Sequence, residues 1–301
     1  MIENELYKNR SISGCIKAGF LLFFSNVATI LRKNWLPIIV LSIIWGFQIG
    51  WSFVGAKQLL PSSAKVYSLI FSFIPSLLSL GAMIWFIGRV LTMINENTLK
   101  VNVKRVTWVI LFMFLTMLLV TVFAISFQQT LIATQPPVKE GEMIALKTYF
   151  WIYPIVYLVF WLGMVPFSFS STKYWIEQKA RFKSTFFGGY RTGIKYFGFI
   201  FSTTLLTGLI VSLIIFVMVI PLIILLLSNT LSQIGVINGD PDTLPGYFPV
   251  LLYGISILTA FLLTSIIVIK LLIMYFVYGT VEVRKNAPKH RQLTQNDNLQ
   301  Q

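Results

Sequence analysis

This chain carries almost nothing with which to do acid–base or metal chemistry. Its 301 residues include one cysteine, Cys15, one histidine, His290, and 10 Asp and Glu. One thiol makes no intrachain disulfide and no thiolate cluster, and one imidazole builds no His-based metal centre. With no histidine near a membrane serine or cysteine, a Ser-His-Asp or Cys-His arrangement is missing too. No glycine-rich phosphate loop is present, because "FFGGY" lacks both the spacing and the Lys-Ser/Thr that follows one. The carboxylates Asp240 and Asp242 in "NGDPDTLPG" lack the further ligands of a calcium loop and read as a Pro/Gly turn. No catalytic, cofactor or metal-binding residue is assigned, and no enzymatic activity is expected.

Charge is scarce as well. Charged residues make up 11% of the chain and hydrophobic residues 56%, with a mean hydropathy of +0.79, which excludes an ordinary soluble domain. The apolar runs do not alternate with polar residues, so a membrane β-barrel is excluded. What remains is an all-α, polytopic membrane helical bundle. A helix needs about 20 apolar residues to cross the hydrocarbon core. Six runs qualify, at about 36–56, 66–87, 108–132, 150–170, 199–227 and 247–270. Trp35, Tyr67, Trp108, Trp151, Tyr174, Tyr196 and Tyr247 sit near their ends, where amphipathic rings favour the headgroup level. Residues 1–285 read as a single six-span membrane domain, followed by a polar tail over 286–301.

Lys and Arg set the expected orientation. Lys8, Arg10, Lys17, Arg32 and Lys33 precede the first span, and Arg89, Lys100, Lys104 and Arg105 join the second to the third. Lys173, Lys179, Arg181, Lys183, Arg191 and Lys195 join the fourth to the fifth, and Arg284, Lys285, Lys289 and Arg291 follow the sixth. The opposite side holds only Lys57, Lys65, Lys139 and Lys147. The positive-inside rule then places both termini in the cytoplasm, and the polar opening makes the first span an uncleaved anchor. The net charge of +14 follows this alternation and forms no single patch, so nucleic acid is not an expected partner. Anionic headgroups on the cytoplasmic side are.

Two stretches have the look of interfacial amphipathic helices on the cytoplasmic side. Over about 12–31, Ile12, Ile16, Phe20, Phe23, Val27 and Ile30 recur at helical spacing with Lys17, Ser25, Thr29 and Arg32 elsewhere on the wheel. Over about 180–196, Phe182, Phe186, Tyr190 and Phe197 form one stripe. Lys179, Lys183, Arg191 and Lys195 form a neighbouring one and are candidate contacts for anionic lipid. Each stretch leads into a span, which suggests a faint internal duplication.

The order of surface helix, four spans, surface helix and two spans, with the stretch "YWIEQKARFKSTFFGGYRTGIKYFGFI", resembles a group of bacterial six-span membrane proteins. That group includes the membrane domain accompanying some glycerophosphodiester phosphodiesterases. The resemblance implies a multi-pass protein of the bacterial inner membrane. The soluble catalytic domain found beside that membrane domain has no counterpart in the short polar tail.

Helix packing in lipid favours small residues. Ser42, Gly46 and Gly50 make such a stripe in the first span, Ser68, Ser72, Ser76 and Ser79 in the second, and Thr204, Gly208 and Ser212 in the fifth. These stripes serve close intramolecular packing, a homodimer seam or a polar lining. Pro154, Pro166 and Pro221 are expected kinks whose freed carbonyls need other donors. Glu177 stands four residues from Lys173 and from Arg181, the spacing of helical ion pairs.

Lys270 is a candidate intramembrane charge with two readings. About 23 residues of helix from Tyr247 bring it to the cytoplasmic boundary, where it snorkels. Its direction also falls near that of Thr259 and Ser256, which would turn it into the bundle towards Glu177 or an anionic headgroup. The pattern as a whole points to a non-catalytic protein that organises the membrane or binds partner proteins, itself included. The alternative is a transporter or channel for a small or lipid-like solute. Reporter fusions at the two ends are expected to signal from the same face of the membrane; signals from opposite faces would overturn the even number of crossings.

Overall fold

The computed structural model describes residues 6–55, 65–133, 149–241 and 244–299, and among them there is no strand. The elements are α1 (Ile12–Gly50), a π-helical turn (Trp51–Gly55), α2 (Lys65–Leu91), α3 (Leu99–Ala133) and α4 (Tyr149–Ile176). A second π-helical turn (Phe182–Phe186) leads to α5 (Phe187–Lys195), α6 (Phe197–Ile237) and α7 (Phe248–Leu299). Six of these helices, all but the short α5, contain a stretch long and apolar enough to cross a membrane, as expected of a multi-pass membrane protein.

Several boundaries differ from the sequence reading. The expected surface helix at 12–31 and the expected first span form one continuous α1, because nothing between Ile30 and Leu36 breaks a helix. Ser11 starts it by accepting the Gly14 amide at 3.1 Å. Lys270 lies inside α7, which runs on to Leu299, since neither Gly279 nor Pro288 stops it. The stretch at 180–196 is not one helix but the π-helical turn followed by α5, with Tyr196 separating α5 from α6. The two surface-helix stretches therefore fold differently, the first unbroken into its span and the second interrupted twice.

The contacts divide the chain into two compact units, residues 1–103 with 202–301, and residues 104–201. In the first unit α1 and α7 run antiparallel, and their backbones touch at glycines. A Cβ on Gly46 would lie 2.6 Å from the Cα of Ile257, and one on Gly19 would lie 3.0 Å from the Cα of Ile273. Gly50 meets the ring of Tyr253 in the same way. Ser42 is buried on this face, its hydroxyl donating to the Ile38 carbonyl at 2.6 Å. Lipid offers no hydrophobic drive between helices, so this close van der Waals approach is what binds the pair.

The spacing of these contacts has a geometric consequence. A straight helix from Gly19 to Gly46 would measure about 40 Å, whereas Ile257 to Ile273 measures about 24 Å. With both ends in contact, α1 must bow. Pro37, whose missing N–H weakens the ladder, lies in this stretch. On its other side α1 runs beside α2: Asn34 Nδ2 reaches Met93 Sδ at 3.3 Å, and Gln48 Nε2 donates to Ser76 Oγ at 3.2 Å. The side chains of Ser68 and Ser72 lie outside the described residues.

The ends of this unit are also tied. Thr280 donates to the Lys8 carbonyl at 3.2 Å, and Arg284 donates to the Arg10 carbonyl at 2.7 Å and to Asn9 Oδ1 at 2.9 Å. The Arg10 guanidinium lies 4.8 Å from the centre of the Phe276 ring. The beginning of the chain is thus clasped to the end of the last spanning helix. At the far end, Leu222, Phe248 and Leu252 form a small core with Ile49 and Phe53. There Asn229 Nδ2 donates to the Phe53 carbonyl at 3.3 Å.

Replacing Gly46 by leucine is expected to push α1 off Ile257, at a cost of about 1–3 kcal/mol from overpacking. Gly208→Leu adds its side chain where no described atom lies within 4 Å and is expected to be neutral. Thermal unfolding of the two detergent-solubilised variants checks this; equal midpoints would contradict the packing role of Gly46.

Candidate functional site

In the second unit, the stretch that carried the resemblance folds as a hairpin. α5 doubles back along the second half of α4, held by pairs of residues that sequence separates. A Cβ on Gly193 would lie 2.9 Å from the Cα of Pro166, and one on Gly189 would lie 3.1 Å from the Cα of Ser170. Any side chain at either position would hold the two helices apart. The Ser170 hydroxyl donates to the Phe186 carbonyl, and Tyr190 donates to the Gly163 carbonyl at 3.4 Å, in the turn that Pro166 loosens.

Aromatic rings fill the bend. Phe182 and Phe186 stack with centroids 4.9 Å apart, and Phe167 and Phe112 close on Phe186 edge-on at 5.3 and 5.4 Å. Tyr174 packs edge-on against Phe182 at 5.3 Å. Pairs of this geometry contribute about 0.5–1.5 kcal/mol each beyond their burial. The repeated phenylalanines of this stretch are therefore the hairpin's core as much as a lipid-facing stripe.

The hairpin is pinned by Arg105, on the first turns of α3 and only 6% exposed. Its Nη1 donates to the carbonyls of Glu177 at 2.6 Å, Tyr174 at 3.3 Å and Trp175 at 3.4 Å. Its Nη2 donates to the Gln178 carbonyl at 2.5 Å. A helix leaves its last four carbonyls without intrahelical partners, and these carry the negative end of the dipole. A planar guanidinium satisfies several at once where an ammonium cannot. Tyr174 adds its ring, 5.6 Å from the guanidinium carbon. Beside this cap, Glu177 pairs with Lys173 at 3.2 Å. No ion pair joins Glu177 to Arg181: α4 ends at Ile176, and Arg181 is extended at φ −101°, so helical spacing no longer applies.

Lys179, Lys183, Arg191 and Lys195 are all exposed on the hairpin, as is Arg181. Among the described residues none of them meets a carboxylate. Lys195 instead lies 6.0 Å from the centre of the Tyr196 ring. The arrangement is a braced set of cations without carboxylate partners among the described residues, suited to anions.

The remaining candidates are dispersed. Lys270 is exposed while Val268, Ile269, Leu272 and Ile273 around it are buried, so its ammonium does not enter the packed interior of its unit. Thr259 and Ser256, which share its nominal direction, are buried. Thr204 is partly buried, whereas Gly208 and Ser212 are exposed. Asp240 belongs to the end of α6, where Gly239 takes φ +96° and the Asp240 amide returns to the Gly235 carbonyl at 2.9 Å; Asp242 lies outside the described residues. Among the described residues no three His, Cys, Asp or Glu gather as metal ligands.

Arg105 had looked like one more orientation-setting cation. The only hint in its sequence was an arginine lodged between the apolar Val103 and Val106 at the mouth of a span. Compared with family models, with curated proteins and with solved structures, the chain matches none.

Arg105→Ala is expected to lower stability by about 1–3 kcal/mol, since it strands buried carbonyls at the end of α4. Arg105→Lys should recover only part of that, having the charge without the fork. Thermal melts, together with the rate of tryptic cleavage between Lys179 and Lys183, check the assignment; wild-type melting and cleavage in Arg105→Ala would refute it.

Proposed function

We propose that this chain is a non-catalytic protein of the bacterial inner membrane that organises lipid or partner proteins through its α4–α5 hairpin. The hairpin takes anionic phospholipid headgroups on the cytoplasmic face, where both termini also lie. The observation that carries this reading is the set of exposed, unpaired cations on a hairpin whose own shape is fixed by Arg105, Gly189 and Gly193. Each Lys or Arg near an anionic membrane surface contributes about 1 kcal/mol, and a braced set adds these terms without first ordering a flexible segment.

A second reading, a carrier or channel for a small or lipid-like solute, draws on a different feature. The hydroxyls of Thr207 and Ser256 are buried with no hydrogen-bond partner among the described residues. Unsatisfied hydroxyls of this kind suit a water or a polar solute.

Replacing Lys179, Lys183, Arg191 and Lys195 together by glutamine is expected to lower the amount of co-purifying anionic lipid at unchanged melting temperature. Native mass spectrometry of the detergent-purified protein measures it. Undiminished anionic lipid would remove the lipid reading, and a stoichiometric small solute in both proteins would favour the carrier.

A further inference from the structure

Where α1 bows between its glycine contacts, it does not close fully on α7 and α2. A cavity of about 280 Å³ opens there. Three polar side chains on one face of α1, Asn26, Thr29 and Lys33, line it beside Leu22 and Ile30. The rest of the lining is mostly apolar, with Val90 from α2 and Val268 and Leu272 from α7, and carries one further hydroxyl, that of Thr92 just after α2. Lys33 is exposed and meets no carboxylate among the described residues. Just behind the wall, Asn34 is fully buried. Its amide nitrogen is engaged with the Ile30 carbonyl and Met93 Sδ, while its oxygen has no partner. Lys270 points about 160° away from its neighbours Val268 and Leu272 along α7 and takes no part.

We propose that this cavity binds the headgroup of an anionic phosphate-bearing glycerolipid, with the Lys33 ammonium on the phosphate and the glycerol against Val268 and Leu272. Small-ligand pockets measure about 300–1,000 Å³, so this one is sized for a headgroup and not for acyl chains. A free phosphate would lose hydration against the apolar wall without gaining contact there. An amphiphile uses the polar and the apolar lining at once. Lys33 stands three residues before Leu36, where the first apolar run begins, at headgroup depth. None of the hairpin cations is involved, so this site stands or falls separately from the proposed function.

The test titrates the full chain with Lys179, Lys183, Arg191 and Lys195 replaced by glutamine, so that the hairpin does not contribute, purified in a neutral detergent, with short-chain phosphatidylglycerol, short-chain phosphatidylcholine and glycerol 3-phosphate, each followed by native mass spectrometry. Phosphatidylglycerol adducts are expected to exceed the other two. Lys33→Ala should weaken phosphatidylglycerol binding about fivefold, the worth of one membrane-surface cation. Leu272→Trp, which fills the cavity, should lower it as well at a melting temperature within reach of wild type. Arg32→Ala, which changes the neighbouring cation outside the lining, should leave it unchanged. Equal losses in Lys33→Ala and Arg32→Ala would reduce the effect to diffuse surface charge and overturn the proposal. Glycerol 3-phosphate binding as well as the lipid would overturn it too, because the apolar wall would then contribute nothing.

Discussion

Two helix backbones in van der Waals contact, Gly46 on Ile257 and Gly19 on Ile273, are the constraint from which the first unit follows. In hydrocarbon, leucines on facing helices gain little by meeting one another, since lipid tails are as apolar as they are. Helices stay together where atoms approach most closely, which means where a side chain is missing. Because the contacts are spaced further apart along α1 than along α7, satisfying both makes α1 bow. The bow leaves the cavity at Lys33, and the same antiparallel alignment carries residues 6–15 onto the end of α7.

The second unit answers a different demand. Turning the chain sharply after α4 exposes carbonyls that a low-dielectric setting punishes, and Arg105 meets four of them with one side chain. With the turn satisfied, Gly189 and Gly193 let α5 fold back until backbones touch, and the phenylalanines fill the bend. The cations of the hairpin are left outside this packing. Charges held this way keep their spacing whatever they meet.

The residues differ in how much of this they disclosed. Ser42, Gly46 and Gly50 were conspicuous because small residues four apart on an apolar helix make a visible stripe; Gly46 and Gly50 meet α7, and Ser42 is buried. Gly208 makes a similar stripe with Thr204 and Ser212, yet space around it is open. The pattern states where a helix can be approached closely and not which helix comes. Gly19, Gly189, Gly193 and Gly279 each meet another backbone without belonging to any stripe of the spans. Arg105 and Lys33 were indistinguishable from the cations that orient the chain, since what sets them apart is a carbonyl cluster and a cavity contributed by other segments.

Read on its own, the chain determines its solvent, its helices and its alternation of charge. These depend on composition within windows of about 20 residues, because crossing the hydrocarbon core is a demand each segment meets alone. Its inventory of one histidine, one cysteine and 10 Asp and Glu is equally plain. Only the tertiary structure decided that α1 runs unbroken through its basic stretch and bows, that α5 folds back on α4, and which cation serves as a helix cap. Those outcomes turn on which backbone lies within an ångström or two of which glycine, and no periodicity along a single helix contains the identity of its neighbour.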